Sequence, residues 1–232
     1  MAANNLFLSI SGGAPQKADL KRFYGFTLAE VLITLVIVGI IAAMTIPTLI
    51  NKTNKQEYVS RLKKTYSVMA QATNRILAEE GTPKADIGGW GTTANAVYEM
   101  YKKYLSKAKE CDSSTGCFSG TYRYKTKAAI TFNGNSNTLI LADGAQITMN
   151  PNNAVFKADC THNGSGTNNL CQHFLVDVNG AKGPNTVGQD TFAFSLKENG
   201  LVPTGCDYDD CKNNSLGWGC TCKVLREGAI NY

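Results

Sequence analysis

The sequence predicts an α+β fold in which a long N-terminal helical spine packs on a small antiparallel β-sheet and disulfides staple the C-terminal region. Three observations predict it. An apolar run after residue 25 continues into a segment with helical periodicity. Short strand-like segments between turn residues fill the middle of the chain. All 8 cysteines follow residue 110. We therefore divide the chain into residues 1–25, 26–50, 51–81 and 82–232.

The apolar run from Phe26 to Ile50 is the most informative segment. It is long enough to cross a bilayer as a helix, which needs about 20 residues. Its only charged residue is Glu30. An acid inside a membrane helix costs roughly 2.5–3.5 kcal/mol on insertion scales, so Glu30 is expected to have a function and to need a partner.

Residues 25–30 read Gly-Phe-Thr-Leu-Ala-Glu, and the apolar helix that follows contains Gly39 and Pro47. This pattern resembles the N-terminal signal of type IV prepilins and type II secretion pseudopilins. The resemblance implies a cytoplasmic leader, 1–25, that a prepilin peptidase removes after Gly25. It also implies methylation of the new amine of Phe26 and assembly by an inner-membrane platform.

Glu30 follows Phe26 by about one helical turn and lies on the same face. In a packed filament its carboxylate can neutralise the amine of a neighbouring subunit, which fixes the register between copies. Pro47 removes a helical hydrogen bond and Gly39 weakens the helix. Pro47 is therefore predicted to kink the helix or open it locally. The segment between Gly39 and Pro47 is predicted to melt when a filament packs or stretches, and an ordinary transmembrane kink is the alternative.

Two other interpretations of the run are a secretory signal peptide, cut near Ala42 and Ala43, and a signal anchor that is never processed. A secretory signal has a shorter apolar region and no acid in it, so the prepilin interpretation is favoured.

Beyond the membrane segment, a stripe of residues spaced by three and four predicts that the helix continues to about Glu80. Gly81 and Pro83 then give a stop signal. The first half of this helix has no polar face and needs lipid or other copies of itself, whereas the second half can pack on a globular domain. The stripe consists of Tyr58, Leu62, Tyr66, Met69, Thr73, Ile76 and Leu77.

The globular part is predicted to begin with a turn at 88–91 and a second helix from Thr93 to about Lys109. Asp143-Gly144 between two apolar runs predicts a β-hairpin. The predicted strand segments are 121–124, 129–132, 138–141 and 146–149, and 174–180 is predicted to be a strand that runs into a turn.

An even number of cysteines in this part of the chain indicates disulfides in an oxidising compartment. Lys21 and Arg22 before the run place the N-terminus in the cytoplasm and the C-terminal domain in the periplasm. Zinc is the alternative for the last four cysteines, and the oxidising compartment argues against it. The predicted pairs are Cys111 with Cys117, Cys160 with Cys171, and Cys220 and Cys222 each with Cys206 or Cys211.

The segment 176–190 resembles the late loop of pseudopilins, which carries a calcium site in the major pseudopilins. The resemblance implies that Asp177, Asn179 and Asp190 offer oxygen ligands to calcium. The alternative is turn chemistry in a structural loop. His162 and His173 are interpreted as surface or packing residues, and Trp218 as a plug in a small core.

The formal net charge of +5 and the absence of long basic runs do not indicate a nucleic-acid binder. We find no nucleophile motif, phosphate loop or catalytic carboxylate pair, so an enzyme is not expected. The resemblance implies a filament subunit of a type II secretion pseudopilus or a type IV pilus, whose partners are other copies of itself or related pilins, the peptidase, the platform and lipid. The alternative is a membrane-anchored extracytoplasmic binding or enzymatic domain that does not polymerise.

Overall fold

A computed structural model describes residues 25–82, 94–111, 117–118, 120–131, 137–149, 160, 162–164, 167–206, 211 and 216–232. Residues 1–24 of the predicted leader, the turn predicted at 88–91 and Phe132 lie outside the described residues. The chain forms two compact units, Met1–Pro47 and Thr48–Tyr232, which we describe separately.

The first unit contains the start of helix α1, Leu28–Glu80. Its large apolar side chains are exposed, from Leu28 to Ile46. Among the described residues α1 is the one helix long and apolar enough to cross a membrane, with a mean hydropathy of 2.5 in a window of which none is buried. In the single subunit α1 continues as a helix through Gly39 and Pro47, so no opening occurs there. Melting of this segment in a filament stays a prediction.

In the second unit α1 buries one side against the globular part. Four residues of the predicted stripe are fully buried, namely Leu62, Met69, Thr73 and Ile76, and Tyr58, Tyr66 and Leu77 pack at its edge. The same side also buries Val59, Thr65 and Ala72, which the stripe did not include. The helix ends at Glu80 as predicted, because Gly81 takes a φ of 81° that continues no helix.

A six-stranded antiparallel sheet forms the centre of the second unit, in the order β1-β2-β3-β6-β7-β8. Its strands are β1 (Lys107–Cys111), β2 (Thr138–Leu141), β3 (Gln146–Met149), β6 (Gln172–Asp177), β7 (Thr191–Lys197) and β8 (Gly200–Pro203). A separate two-stranded ribbon pairs β4 (His162–Gly164) with β5 (Thr167–Leu170). The remaining helices are α2 (Ala94–Tyr104) and α3 (Cys220–Glu227).

Both faces of the sheet are covered. On one face the Tyr66 ring of α1 stacks on Phe194, with ring centroids 5.6 Å apart, and Tyr101 of α2 meets the edge of Phe174 at 4.9 Å. Side chains of alternate residues point to opposite faces of a strand. The second face therefore carries its own cluster, formed by Phe118, Tyr122, Ile130, Leu175, Val187, Ala193 and Trp218. Trp218 is only 7% exposed, in agreement with its predicted role as a plug.

Three parts of the predicted secondary structure are wrong. The second helix ends at Tyr104, and Lys107–Cys111 is an edge strand that pairs with Thr138–Leu141. The segments at 121–124 and 129–131 form isolated bridges, Arg123 to Ala129 and Arg123 to Thr186, and join no named strand. Helix α3 was not predicted, because its eight residues are fewer than the window of about 11–18 residues over which helical periodicity is judged.

Four disulfides are present, and the described part of the chain has no free cysteine. The two local pairs join the residues that the sequence indicated, and the open choice at the C-terminus is resolved. The pairs are Cys111–Cys117, Cys160–Cys171, Cys206–Cys222 and Cys211–Cys220. The last two attach the first turn of α3 to the chain that follows β8, so this short helix is held covalently at two points.

Candidate functional site

The predicted cleavage point lies in an exposed segment before α1. Phe26 is 87% exposed, and residues 25–27 have no regular secondary structure. A Cβ built on Gly25 would have no atom within 4 Å. Packing within the subunit therefore does not require glycine at this position, which leaves recognition by an external enzyme as a reason for it.

Thr27 and Glu30 form a reciprocal cap at the start of α1. The Thr27 N–H donates to Glu30 Oε2 at 2.8 Å, and the Glu30 N–H donates to Thr27 Oγ1 at 3.2 Å. The Thr27 hydroxyl also donates to Glu30 Oε2, at 2.9 Å. This is a capping box, which satisfies two backbone donors that the first turn of a helix leaves without partners.

The capping box gives Glu30 a role within the subunit that our sequence analysis did not assign. The Thr-x-x-Glu spacing could have shown it. Both hydrogen bonds to the side chain use Oε2, and among the described residues Oε1 accepts none. One carboxylate can therefore cap its own helix and still present an oxygen to a cation outside the subunit.

The late loop brings together Asp177, Asn179 and Asp190. Asp177 Oδ1 accepts the Asn179 N–H at 3.1 Å, and Asp177 Oδ2 accepts the Tyr122 hydroxyl at 2.6 Å. The two Asp190 oxygens accept the backbone N–H groups of Asn185 and Thr186, each at 2.7 Å. Both aspartates are fully buried. Backbone donors hold this loop much as in an Asx-turn, which was the alternative to a metal site.

Burial dominates the electrostatics of the two acids. Desolvation raises the pKa of Asp177 to about 8, the Asp190 charge adds to this rise, and the hydrogen bond from Tyr122 opposes it. Desolvation also raises the pKa of Asp190, against the effect of its two backbone donors. Two buried carboxylates whose charges interact need a proton or a cation to neutralise them.

Without calcium, we expect the protein to lose stability as the pH rises from about 4 to 8. The unfolded chain releases the Asp177 proton near 3.8, whereas the folded chain keeps it to about 8, so folding becomes less favourable across that window. Asp177→Asn should flatten the decline in unfolding temperature and raise that temperature at pH 8.

The matched control for this titration is Asp143→Asn. The hydrogen bond from Lys64 holds the pKa of Asp143 below its usual value against the opposing effect of burial, so its contribution changes only below the titrated range. This variant should keep the wild-type slope. An unchanged slope in Asp177→Asn would contradict the assignment of the proton to Asp177.

The site also has features that fit a calcium ion. Asn179 Oδ1 and Asn185 Oδ1 are buried and have no hydrogen-bond partner among the described residues. Calcium takes six to eight oxygens, and amide and carboxylate oxygens are among those it accepts. Asp177, Asp190 and Asn179 would hold it with backbone carbonyls, and the ion would supply the missing positive charge. No group of three or more acids, histidines or cysteines suited to a metal occurs in the described part of the chain.

The two histidines form no such group. His173 lies in β6 and is buried, which agrees with a packing role. The side chain of His162 is outside the described residues.

Comparison with known proteins supports the N-terminal site formed by Gly25, Phe26 and Glu30. Residues 20–46 match the family described as the prokaryotic N-terminal methylation motif, the signal found in type IV pilins and pseudopilins. No curated protein and no solved structure is significantly similar to the chain. The match covers the predicted cleavage site at Gly25 together with Phe26 and Glu30, and it leaves the globular part unassigned.

Proposed function

We propose that this chain is a prepilin-like subunit that is cut after Gly25 and assembles through its N-terminal helix into a type II secretion pseudopilus or a type IV pilus. The observation that carries the proposal is the methylation motif at residues 20–46, set at the start of an apolar helix whose side chains are exposed. Such a helix is stable in lipid or in a bundle of identical helices. Processing at the motif is the step that precedes its transfer from the membrane into the bundle.

The partners and the location of the subunit follow from this sequence of processing and assembly. The subunit waits in the bacterial inner membrane as a single-pass protein, with its N-terminus in the cytoplasm and its disulfide-bonded domain in the periplasm. A prepilin peptidase and an inner-membrane assembly platform act on it in turn. Filament assembly then places the apolar helices of many copies side by side.

The test of processing is the intact mass of the chain from a host with and without the prepilin peptidase. The expected product starts at Phe26 and carries one methyl group. Gly25→Leu should leave the chain uncut, because the added side chain stands at the bond that the enzyme must bind.

Gly39→Leu is the matched control for processing. A Cβ on Gly39 also has no atom within 4 Å, and Gly39 lies well inside the helix, so this variant should be cut as the wild type is. A wild-type chain that keeps its leader, or that is cut after residue 43, would contradict the proposal and favour an anchored or secreted domain.

We also propose calcium as the ion of the late loop, which would place the subunit closer to the pseudopilins. Two buried acids and the unpartnered Asn179 Oδ1 support this. Calcium added at pH 8 should raise the unfolding temperature of the wild type relative to a chelator, and magnesium should do so less. Asp177→Asn should show no gain. If calcium does not change the unfolding temperature of the wild type, the calcium proposal is wrong and a bound proton is what neutralises the two acids.

A further inference from the structure

An open pocket lies beside α1 immediately after the apolar run. It has a volume of about 470 Å³ and is formed by α1 and by the late loop. The helix contributes Asn51, Asn54, Lys55 and Tyr58, and the loop contributes 183–184 and Gln189. No acid is among its lining residues.

Several hydrogen-bond donors surround this pocket. Asn51, Asn54 and Gln189 each bring a side-chain amide to it, and Asn51 and Gln189 are exposed to solvent. Lys55 Nζ donates one hydrogen bond, to the Ile230 carbonyl at 3.2 Å, and an ammonium has two more N–H groups. Such a donor set is suited to an anion with several oxygens.

Charges near the pocket favour an anion as well. Lys52 and Lys182 are exposed and flank the lining residues along the chain. The one acid between Asn51 and Tyr58 is Glu57, which is paired with Arg61 at 2.8 Å. The rim lysines Lys52, Lys55 and Lys182 therefore carry the positive charge at the pocket mouth, and the buried Asp177 and Asp190, whose charges act on Tyr58, oppose it from inside the loop.

The level at which the pocket would lie in a membrane indicates which anion it would meet. The apolar run ends at Ile50, and Asn51 to Tyr58 follow within about 12 Å of helix. Each headgroup layer of a bilayer is about 5–8 Å thick. When the apolar run crosses the hydrocarbon, Asn51, Asn54 and Lys55 lie at the level of the lipid phosphates, and Tyr58 is in the interfacial zone where tyrosine is enriched.

We propose that this pocket binds the phosphate of an anionic phospholipid headgroup while the subunit waits in the membrane. The inference rests on the proposed membrane-spanning prepilin and adds a specific lipid contact to it. Headgroup binding would hold the globular part against the membrane surface, and extraction into a filament would then have to break this contact.

The test is native mass spectrometry of the full chain in detergent with added phosphatidylglycerol, phosphatidylcholine or inorganic phosphate. The wild type should retain one phosphatidylglycerol molecule and prefer it to phosphatidylcholine. Lys55→Gln should weaken retention about fivefold, the usual effect of one basic residue at an anionic surface. Gln189→Ala, on the loop side of the pocket, should also weaken it.

Lys63→Gln is the control, because it removes the same charge from an exposed site two turns further along α1. It should bind lipid as the wild type does. Equal loss in both lysine variants, no loss in Lys55→Gln, or equal retention of phosphatidylcholine would overturn the proposal. Displacement of the lipid by an equal concentration of inorganic phosphate would identify free phosphate as the ligand instead.

The outcome can be separated from that of the proposed function. Glu30→Ala should keep the lipid adduct while losing assembly, since Glu30 lies outside the pocket. A wild type that binds phosphatidylglycerol but is never cut after Gly25 would preserve the headgroup site and reject the prepilin function.

Discussion

Replacing Glu30 with Ala is expected to abolish incorporation of the subunit into filaments while leaving it in the membrane. Under the proposed function, the mature chain would begin with the cationic amine of Phe26, and Glu30 of a neighbouring subunit would neutralise it in the apolar bundle. A single uncompensated charge in a membrane environment costs roughly 2.5–3.5 kcal/mol. That cost corresponds to about a hundredfold loss at each subunit contact.

The measurement is the fraction of subunits in sheared filaments, beside the fraction retained in the membrane. Glu30→Ala should be found in the membrane alone. A variant that assembles normally would contradict the role of Glu30 and would favour a tethered domain that never polymerises.

Two further variants separate the charge of Glu30 from its capping role. Glu30→Gln keeps an oxygen that can accept the Thr27 N–H but removes the charge, so assembly should fail as in Glu30→Ala. Thr27→Ala removes the hydroxyl of the cap and keeps the charge. It should cost about 0.5–2 kcal/mol of helix stability at the N-terminus and still allow assembly. If Thr27→Ala blocked assembly and Glu30→Gln did not, the cap would be the functional role.

Local signals explain which parts of the fold could be predicted from the sequence. Gly81 ends α1 and Asp143-Gly144 turns the β2–β3 hairpin, and each signal lies beside the element that it determines. The strand Lys107–Cys111 has no such signal. Its charged residues fit a helix surface equally well, and its assignment depends on pairing with Thr138–Leu141, which is remote in sequence.

The candidate sites divide in the same way. Gly25, Phe26 and Glu30 form a contiguous motif, so the sequence alone located them. The grouping of Asp177 with Asp190 came from the resemblance of segment 176–190 to the late loop of pseudopilins. The hydrogen bond from Tyr122 to Asp177 joins residues 55 positions apart, and no periodicity or motif points to it. Burial of Asp177, which raises its pKa, is likewise a property of the assembled sheet.

The second large effect is expected for Phe194→Ala, which should lower the free energy of unfolding of the globular part by about 3–5 kcal/mol. Phe194 is completely buried in β7 and stacks on Tyr66 of α1. Truncation would leave a cavity at the place where the sheet holds the helix. Denaturant unfolding of the full chain in detergent, followed by circular dichroism, measures the loss.

The matched control is Phe26→Ala, the same substitution at an exposed residue just before α1. Phe26 is 87% exposed, so Phe26→Ala removes no packing within the subunit and should leave the free energy of unfolding unchanged. We expect both variants to change the fraction of subunits that assemble, for different reasons. Phe194→Ala would release the second half of α1 from its domain, whereas Phe26→Ala would alter only the residue that follows the cut. Equal stability losses in the two variants would mean that the interface between α1 and the sheet does not hold the globular part together.

Because a filament can carry the domain only through α1, that interface connects assembly to whatever the domain binds.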